Sequence, residues 1–78
     1  MLFDSIEWDE DNLDHATRRL TREEIEQVLF NSDRWKRHPE ILGRFIVVSF
    51  TDGGRKAVVV VHYDRGRDRV RPITAWEV

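Results

Sequence analysis

Two runs of β-branched and aromatic residues, RFIVVSFT over residues 44–51 and RKAVVVVHY over residues 55–63, lie on either side of Asp52-Gly53-Gly54. Such runs favour strands, and a short segment rich in aspartate and glycine between them is typical of a β-hairpin. The second run contains five consecutive apolar residues, 57–61, without polar alternation. A strand of this kind is typical of the centre of a sheet whose two faces are both covered. The fold must therefore be built around this hairpin.

The first of two helix signals begins at Asp9. Aspartate is a favourable N-cap, and Glu10 and Asp11 follow it in the first turn, where the helix dipole favours negative charge. A narrow apolar face then recurs at helical spacing, formed by Leu13, Ala16 and Leu20. The pattern predicts a helix from about residue 10 to residue 19.

A second helix is predicted directly after the first. Thr21 and Glu24 have the spacing of a capping box, in which each side chain bonds the backbone N–H of the other residue. Ile25, Val28 and Leu29 share one face, which Phe30 extends, and Asn31-Ser32-Asp33 stops the helix. The two helices form a predicted αα-hairpin that packs on the sheet.

Two segments outside the helices and the hairpin carry weaker strand signals. Leu2, Phe3 and Ile6 surround polar residues, so we predict a short strand over residues 2–6 that Trp8 closes. Residues 33–41 are polar and basic, and Pro39 excludes a central strand position. This second segment is therefore predicted as an edge strand or a loop.

The end of the chain completes the predicted sheet. Residues 64–68 form a turn, and residues 70–78 return as the last strand. The order of elements predicts one α+β domain over residues 1–78, with an N-terminal strand, an αα-hairpin and then a three- to four-stranded antiparallel sheet. Both helices are expected on one face of that sheet.

The composition excludes several classes of protein. There is no cysteine, which excludes a disulfide framework and a thiolate metal site and fits a reducing compartment. The longest apolar run has five residues, far short of the roughly 20 that a membrane-spanning helix needs. The first residues carry acids where a secretory signal carries basic and apolar residues. We therefore predict a soluble, cytoplasmic protein with no membrane partner.

The charge is divided unevenly along the chain. Residues 1–30 contain nine acids and three bases, net −6, whereas residues 31–78 contain six acids and ten bases, net +4. Such asymmetry indicates an interaction surface, and a basic half suits phosphate. The overall pI near 5.9 argues against a protein that coats nucleic acid, so any RNA contact is predicted to be local.

The motifs of the chain resemble a known family. They are, in order, Ile6-Glu7-Trp8-Asp9 with Asn12 and His15, Leu20-Thr21 with Glu23-Glu24, Gly43-Arg44-Phe45, and Val70-Arg71 with Ile73-Thr74-Ala75. The series is similar to the BrnT-type toxins of bacterial toxin–antitoxin pairs, which belong with the RelE/ParE-like folds. The resemblance covers nearly the whole chain, and its strength lies in the order of the motifs, since no single one is highly specific.

The resemblance implies a small intracellular ribonuclease that blocks translation. It also implies a cognate antitoxin of the ribbon-helix-helix or helix-turn-helix type, which silences the toxin, and assembly as a homodimer or as a heterotetramer with the antitoxin. The family's closing strand often ends in an arginine that is counted among the active groups, and Trp76 takes that position here. Two functions are therefore predicted as alternatives: a metal-independent endoribonuclease, or a non-catalytic binding module that serves as a regulatory or assembly subunit.

The predicted catalytic residues are Arg44, Arg65 and Arg71, which match family positions, together with His62. Arginine forks give paired hydrogen bonds to phosphate, and histidine titrates near neutral pH. The alternatives are solvated arginines at strand ends and a structural histidine. Because His62 and Tyr63 are adjacent in a strand, only one of them can share a face with the basic set.

The predicted RNA-binding residues are Trp35, Lys36 and Arg37, because an aromatic ring flanked by cations can stack on a base. Packing in the core is the alternative for tryptophan. His38 is a second candidate acid or base. The three histidines lie 23 and 24 positions apart without paired carboxylates, and no glycine-rich phosphate loop is present, so we predict no metal and no cofactor.

Overall fold

A computed structural model of the protein describes residue 3, residues 5–32 and residues 34–78. Its elements are β1 (Ser5–Ile6), α1 (Glu10–Ala16), α2 (Arg22–Asn31), β2 (Trp35–Arg37), β3 (Arg44–Phe50), β4 (Lys56–Asp64) and β5 (Arg69–Glu77). The predicted α+β class is confirmed. The predicted roles of Leu2 and Asp4 in the first strand, and of Asp33 at the end of the second helix, lie outside the described residues. Neither α1 nor α2 is long and apolar enough to cross a membrane.

The strands form one mixed sheet in the order β1-β5-β4-β3-β2. The pairs β2·β3, β3·β4 and β4·β5 are antiparallel, whereas β1 pairs in parallel with β5. The predicted three- to four-stranded antiparallel sheet is thus corrected to five strands, because β1 joins the sheet beside the last strand. The segment predicted as an edge strand or a loop contains both, since β2 forms one edge of the sheet and the chain then loops into β3.

The capping residues begin the two helices as predicted. The carboxylate of Asp9 accepts hydrogen bonds from the backbone N–H groups of Asp11 and Asn12, at 2.9 and 3.1 Å. The capping box of Thr21 and Glu24 is also formed. These contacts satisfy N–H groups that a helix start leaves without partners.

Helix α1 ends at Ala16 and is therefore shorter than the predicted helix, which continued to about residue 19. The hydroxyl and the backbone N–H of Thr17 both donate to the carbonyl of Leu13, and the backbone of Thr17 then leaves the helical conformation. Leu20 is nevertheless buried, since the turn after the helix returns its side chain to the core.

The core lies between the two helices and one face of the sheet. Its buried members are Ala16, Leu20, Ile25, Val28, Leu29, Phe45, Val47, Ala57, Val59, Val61, Val70 and Ala75. On β4 only alternate residues belong to this cluster, so Val58 and Val60 point to the opposite face. The prediction that β4 is central is confirmed. Both faces of β4 were expected to be covered: the core covers one face, and on the other face Val58 is buried and Val60 is partly buried. Val58 is buried between its cross-strand neighbours Val48 and Trp76.

Candidate functional site

Three of the predicted catalytic residues lie side by side on adjacent strands. His62 on β4 is the register partner of Arg44 on β3 and of Arg71 on β5. Directly paired residues project from the same face of a sheet, so this row lies on the face away from the helices. We call this face the open face. Arg44 and His62 are 18 positions apart in the sequence, and His62 and Arg71 are nine positions apart. Strand pairing alone brings them together.

A pocket of about 540 Å³ opens at the end of the sheet, where β3 begins and β4 ends. We call it the arginine pocket; it is lined by Arg37, His38, Ile41, Leu42, Gly43, Arg44, Phe45, Tyr63 and Arg65. Its three arginines come from β2, from β3 and from the turn after β4. None of the described residues that line the pocket carries a carboxylate. The concave surface is therefore positively charged.

The arginines of the pocket differ from the other arginines near the sheet in their partners. Arg55 and Arg67 each form ion pairs with two carboxylates. Within the described residues, Arg37, Arg44 and Arg65 have no carboxylate oxygen within 4.0 Å. The Nε of Arg44 is also buried without an acceptor from that part of the chain. Because a buried donor without a partner is costly, the pocket suits an acceptor from outside.

Arg71 does not line the arginine pocket, and its guanidinium forms an ion pair. Its guanidinium donates two hydrogen bonds to the carboxylate of Asp9, one of them at 3.1 Å. The same contact raises the pKa of Arg71, and it ties β5 to the start of α1. The structure therefore places Arg71 in a row with Arg44 and His62, as a residue that joins two elements rather than as a free cation.

The pKa of Asp9 is lowered from 3.8 to about 2, first because Arg71 donates to its carboxylate and second because the backbone N–H of Asn12 does so. Since the pKa in the folded protein lies below the unfolded value, the carboxylate stabilises the fold fully above pH 3.8 and progressively less as the pH falls to about 2. We expect the thermal unfolding midpoint to fall over this interval. Circular dichroism melts at a series of pH values measure it.

The variant Asp9→Asn isolates this carboxylate, because asparagine is also a good N-cap but does not titrate. Its unfolding midpoint should depend less on pH than that of the unmodified protein in the same interval. Asp14→Asn is the matched control, since the exposed carboxylate of Asp14 lies 3.9 Å from the guanidinium of Arg18 in a weak surface pair. Identical pH dependence in Asp9→Asn and Asp14→Asn would contradict the assignment.

The imidazole of His62 lies against Gly43. A Cβ atom built on Gly43 would be 2.9 Å from Cε1 of His62, and Gly43 has a φ of +82°. Glycine is favoured here both by the left-handed backbone and by the close approach of the ring. Among the described residues no group forms a hydrogen bond with the imidazole, which borders the arginine pocket through Gly43. His62 therefore lies beside the pocket without a hydrogen-bond partner among the described residues.

Tyr63 lines the pocket, while its neighbour His62 shares the open face with Arg44 and Arg71. The phenol O–H of Tyr63 donates to the carboxylate of Asp68 at 2.6 Å, and this hydrogen bond raises the pKa of Tyr63. Tyr63 thus stays neutral. Asp68 has a φ of +52° in the turn that carries Arg65, so the bond links the strand to this turn.

His38 holds the loop on the other side of the pocket. Its Nδ1 accepts hydrogen bonds from the backbone N–H groups of Glu40 and Ile41, both at 3.1 Å. These two hydrogen bonds occupy Nδ1 and fix the orientation of the ring against the loop. His38 therefore shapes the pocket, and its Nδ1 is not available as a base.

The three predicted RNA-binding residues are distributed over different surfaces. Arg37 lines the arginine pocket, and Lys36 is exposed opposite Ile46 on the open face. Trp35 is half-buried on the helix side, with ring centroids 5.3 Å from Phe3 and 6.2 Å from Phe45. The structure thus gives Trp35 the alternative role in the core.

Trp76 lies on the open face as the register partner of Val58, and it is not part of the arginine pocket. In the ranges 5–32 and 34–78 together with residue 3, no group of three His, Asp or Glu side chains has the arrangement of a metal site. Comparisons of the chain with protein-family models, with curated proteins and with solved structures give no match.

Proposed function

We propose that the protein is the toxin of a bacterial toxin–antitoxin pair, a metal-independent endoribonuclease that inhibits translation and is neutralised by a cognate antitoxin of the ribbon-helix-helix or helix-turn-helix type. The series of family-like motifs supports the class of protein. The observation that carries the RNA chemistry is the arginine pocket, in which three guanidinium groups converge without a carboxylate among its lining residues.

The pocket has the chemistry that a single RNA strand requires. Guanidinium forks pair with phosphate oxygens, and Ile41 and Leu42 offer exposed apolar surface for a base or a ribose. A volume of about 540 Å³ is within the range of small-ligand pockets. The neutral phenol of Tyr63 adds a polar group to the lining without adding negative charge.

Cleavage without a metal follows from the position of His62 beside this pocket. Its imidazole takes the proton of the 2′-hydroxyl, the 2′-oxygen attacks the neighbouring phosphorus, the P–O5′ bond breaks, and the leaving 5′-oxygen takes a proton from water. Arg44 lies next to His62 and lines the pocket, so its charge faces the phosphate as negative charge develops in the transition state. The products are a 2′,3′-cyclic phosphate and a free 5′-hydroxyl.

The variant Arg44→Ala/Arg65→Ala tests the proposal. We expect it to weaken binding of a fluorescently labelled single-stranded RNA by about tenfold or more, and to reduce the salt slope of binding by about 0.7 for each lost phosphate contact. Induced expression of the unmodified chain should stop bacterial growth, and the double variant should relieve the arrest. Fluorescence anisotropy and growth curves measure these effects.

Arg19→Ala is the matched control, because it removes an exposed arginine that does not line the arginine pocket. The proposal fails if Arg19→Ala weakens RNA binding as much as the pocket variants do. It also fails if expression of the unmodified chain leaves growth unchanged and the purified protein does not bind RNA. Melting curves of each variant confirm that the protein is folded in both measurements.

A second candidate function is a non-catalytic binding module of the same fold. It is favoured by the ion pair that holds Arg71 to Asp9 and by Trp76 at the family's arginine position. The two candidates differ in the fate of the labelled RNA. Bound but intact RNA, together with cleavage or growth arrest that appears only in Trp76→Arg, supports the binding module.

A further inference from the structure

The open face presents two rows of apolar side chains between rows that contain cations. Val48, Val58 and Trp76 are register partners across β3, β4 and β5, and the next row contains Ile46 and Val60. Phe50 extends the apolar surface beyond the first row. Val48 is 48% exposed and Phe50 is 52% exposed. Soluble proteins seldom leave such a contiguous apolar patch without a partner.

Basic side chains lie on both sides of these apolar rows. Lys56 pairs with Phe50 at one end, and Arg44 and His62 lie at the other end in one row with Arg71, whose charge is already paired with Asp9. Lys36 lies beside Ile46 at the edge of the patch. Among the described residues of β3, β4 and β5, the carboxylate that projects from this face is that of Asp64, and it already forms an ion pair with Arg67. The patch is therefore apolar in the centre and basic at its borders.

We propose that the open face binds an amphipathic helix of another protein, whose apolar stripe covers the two apolar rows and whose glutamate or aspartate side chains on both flanks meet Lys56 and Arg44. This proposal goes beyond the RNA chemistry above and stands without it, since it rests on the apolar rows and their basic borders.

The dimensions of the patch fit one helix. The end rows are six residues apart along β3, which corresponds to about 20 Å. A helix with its side chains is about 10–12 Å wide, so its apolar stripe rests on the two central rows and its flanking carboxylates extend toward the cations. The fold already places a helical layer on the other face of this sheet, and a partner helix supplies the missing layer.

Two other occupants fit the patch less well. A second copy packed face to face would bring two sets of basic borders together, and like charges across an interface are unfavourable. Single-stranded RNA would find cations here and two rings, Phe50 and Trp76, but Val48, Val58, Ile46 and Val60 in the two apolar rows are aliphatic and offer no ring on which bases can stack. An acidic amphipathic helix satisfies both the charge and the apolar surface.

The test uses a designed helical peptide of about 14 residues, about 21 Å long, with a leucine stripe at i, i+3, i+4 and i+7 and glutamates on both flanks. A second peptide carries lysine in place of every glutamate. We expect the glutamate peptide to bind the full chain at least about tenfold more tightly than the lysine peptide at low salt, and the difference to shrink as salt is added. Isothermal titration calorimetry measures both affinities.

Two variants of the open face and one control complete the design. Val48→Thr/Phe50→Thr places β-branched threonine, which suits a strand, at both positions, and we expect it to weaken binding of the glutamate peptide about tenfold. Lys56→Ala, at an exposed position, should weaken it about threefold. Phe30→Ala removes a side chain that is 69% exposed on α2, outside the patch, and should leave the affinity unchanged.

The proposal is overturned if the lysine peptide binds as tightly as the glutamate peptide, if neither peptide binds, or if Phe30→Ala weakens binding as much as the strand variant. It is also overturned if light scattering shows a dimer that Val48→Thr/Phe50→Thr abolishes, because the occupant is then a second copy. Loss of oligouridine binding in that variant, without peptide binding to the unmodified chain, would assign the face to RNA.

Discussion

Replacement of Asn12 by alanine is expected to lower the free energy of unfolding by about 3 kcal/mol, since three backbone groups lose hydrogen bonds worth about 1 kcal/mol each. The side chain of Asn12 is only 4% exposed. Its amide nitrogen donates to the carbonyls of Glu7 and Pro72, at 2.8 and 3.1 Å, and its oxygen accepts from the backbone N–H of Asp9 at 2.7 Å. One side chain thus joins β1, α1 and β5.

For a domain of 78 residues, about 3 kcal/mol is a large share of an expected total of roughly 4–12 kcal/mol. The thermal midpoint should fall by more than about 10 °C. Urea unfolding followed by circular dichroism measures the change in free energy. An unchanged dependence on urea concentration would show that the compactness of the two states is preserved.

Asn31→Ala is the matched control for Asn12→Ala. Asn31 also donates two hydrogen bonds from its amide, to the carbonyl of Phe50 and to the carboxylate of Asp52, but it is exposed. Water replaces its partners, so we expect the control to cost less than about 1 kcal/mol. If both variants lose the same free energy of unfolding, burial does not explain how much the hydrogen bonds of Asn12 contribute to stability.

Gly43→Ala is expected to destabilise the protein by about 2–3 kcal/mol and to displace the imidazole of His62. The left-handed backbone at Gly43 alone costs a residue with a side chain about 1–2 kcal/mol. The new Cβ would also lie 2.9 Å from Cε1 of His62, so the ring must rotate away. NMR titration of the imidazole resonances follows the displacement, and chemical denaturation gives the free energy.

Gly54→Ala separates the two causes, because Gly54 has a similar φ of +88° and no heavy atom within 4 Å of the added Cβ. It should show only the backbone cost of about 1–2 kcal/mol. The double variant Gly43→Ala/His62→Ala should recover the excess of Gly43→Ala over Gly54→Ala, as a double-mutant cycle reports. Equal destabilisation in the two glycine variants would mean that the contact with His62 is not a constraint.

Local signals were sufficient for much of the fold. The capping residues Asp9 and Thr21 marked the starts of both helices, and the hairpin at Asp52-Gly53-Gly54 joined two strands as predicted. These features depend on side chains that act on backbone groups a few residues away. The end of α1 was misplaced because the backbone leaves the helical conformation at Thr17, whereas the apolar periodicity continues to Leu20.

The features that could not be predicted depend on contacts between residues that are far apart in the sequence. The residues of β1 carry no signal for a partner at β5, so the strand was predicted but its parallel pairing as the fifth strand of the sheet was not. An arginine in a sequence also does not show whether a carboxylate will reach it. Asp9 reaches Arg71, whereas Arg44 and Arg65 converge on one pocket without a carboxylate in its lining. The run of apolar residues in β4 indicated burial but not what covers Val58 and Val60.

The parallel pairing of β1 with β5 also determines the order in which the protein can fold. Ser5 and Arg69 are 64 positions apart, and closing a loop of that length costs about 4 kcal/mol of chain entropy. The β3–β4 hairpin needs only local contacts and can form early. During synthesis, β1 has no strand to pair with until β5 has been made. The contacts of Asp9 and Asn12 with β5 must then form together with this pairing, late on the folding pathway.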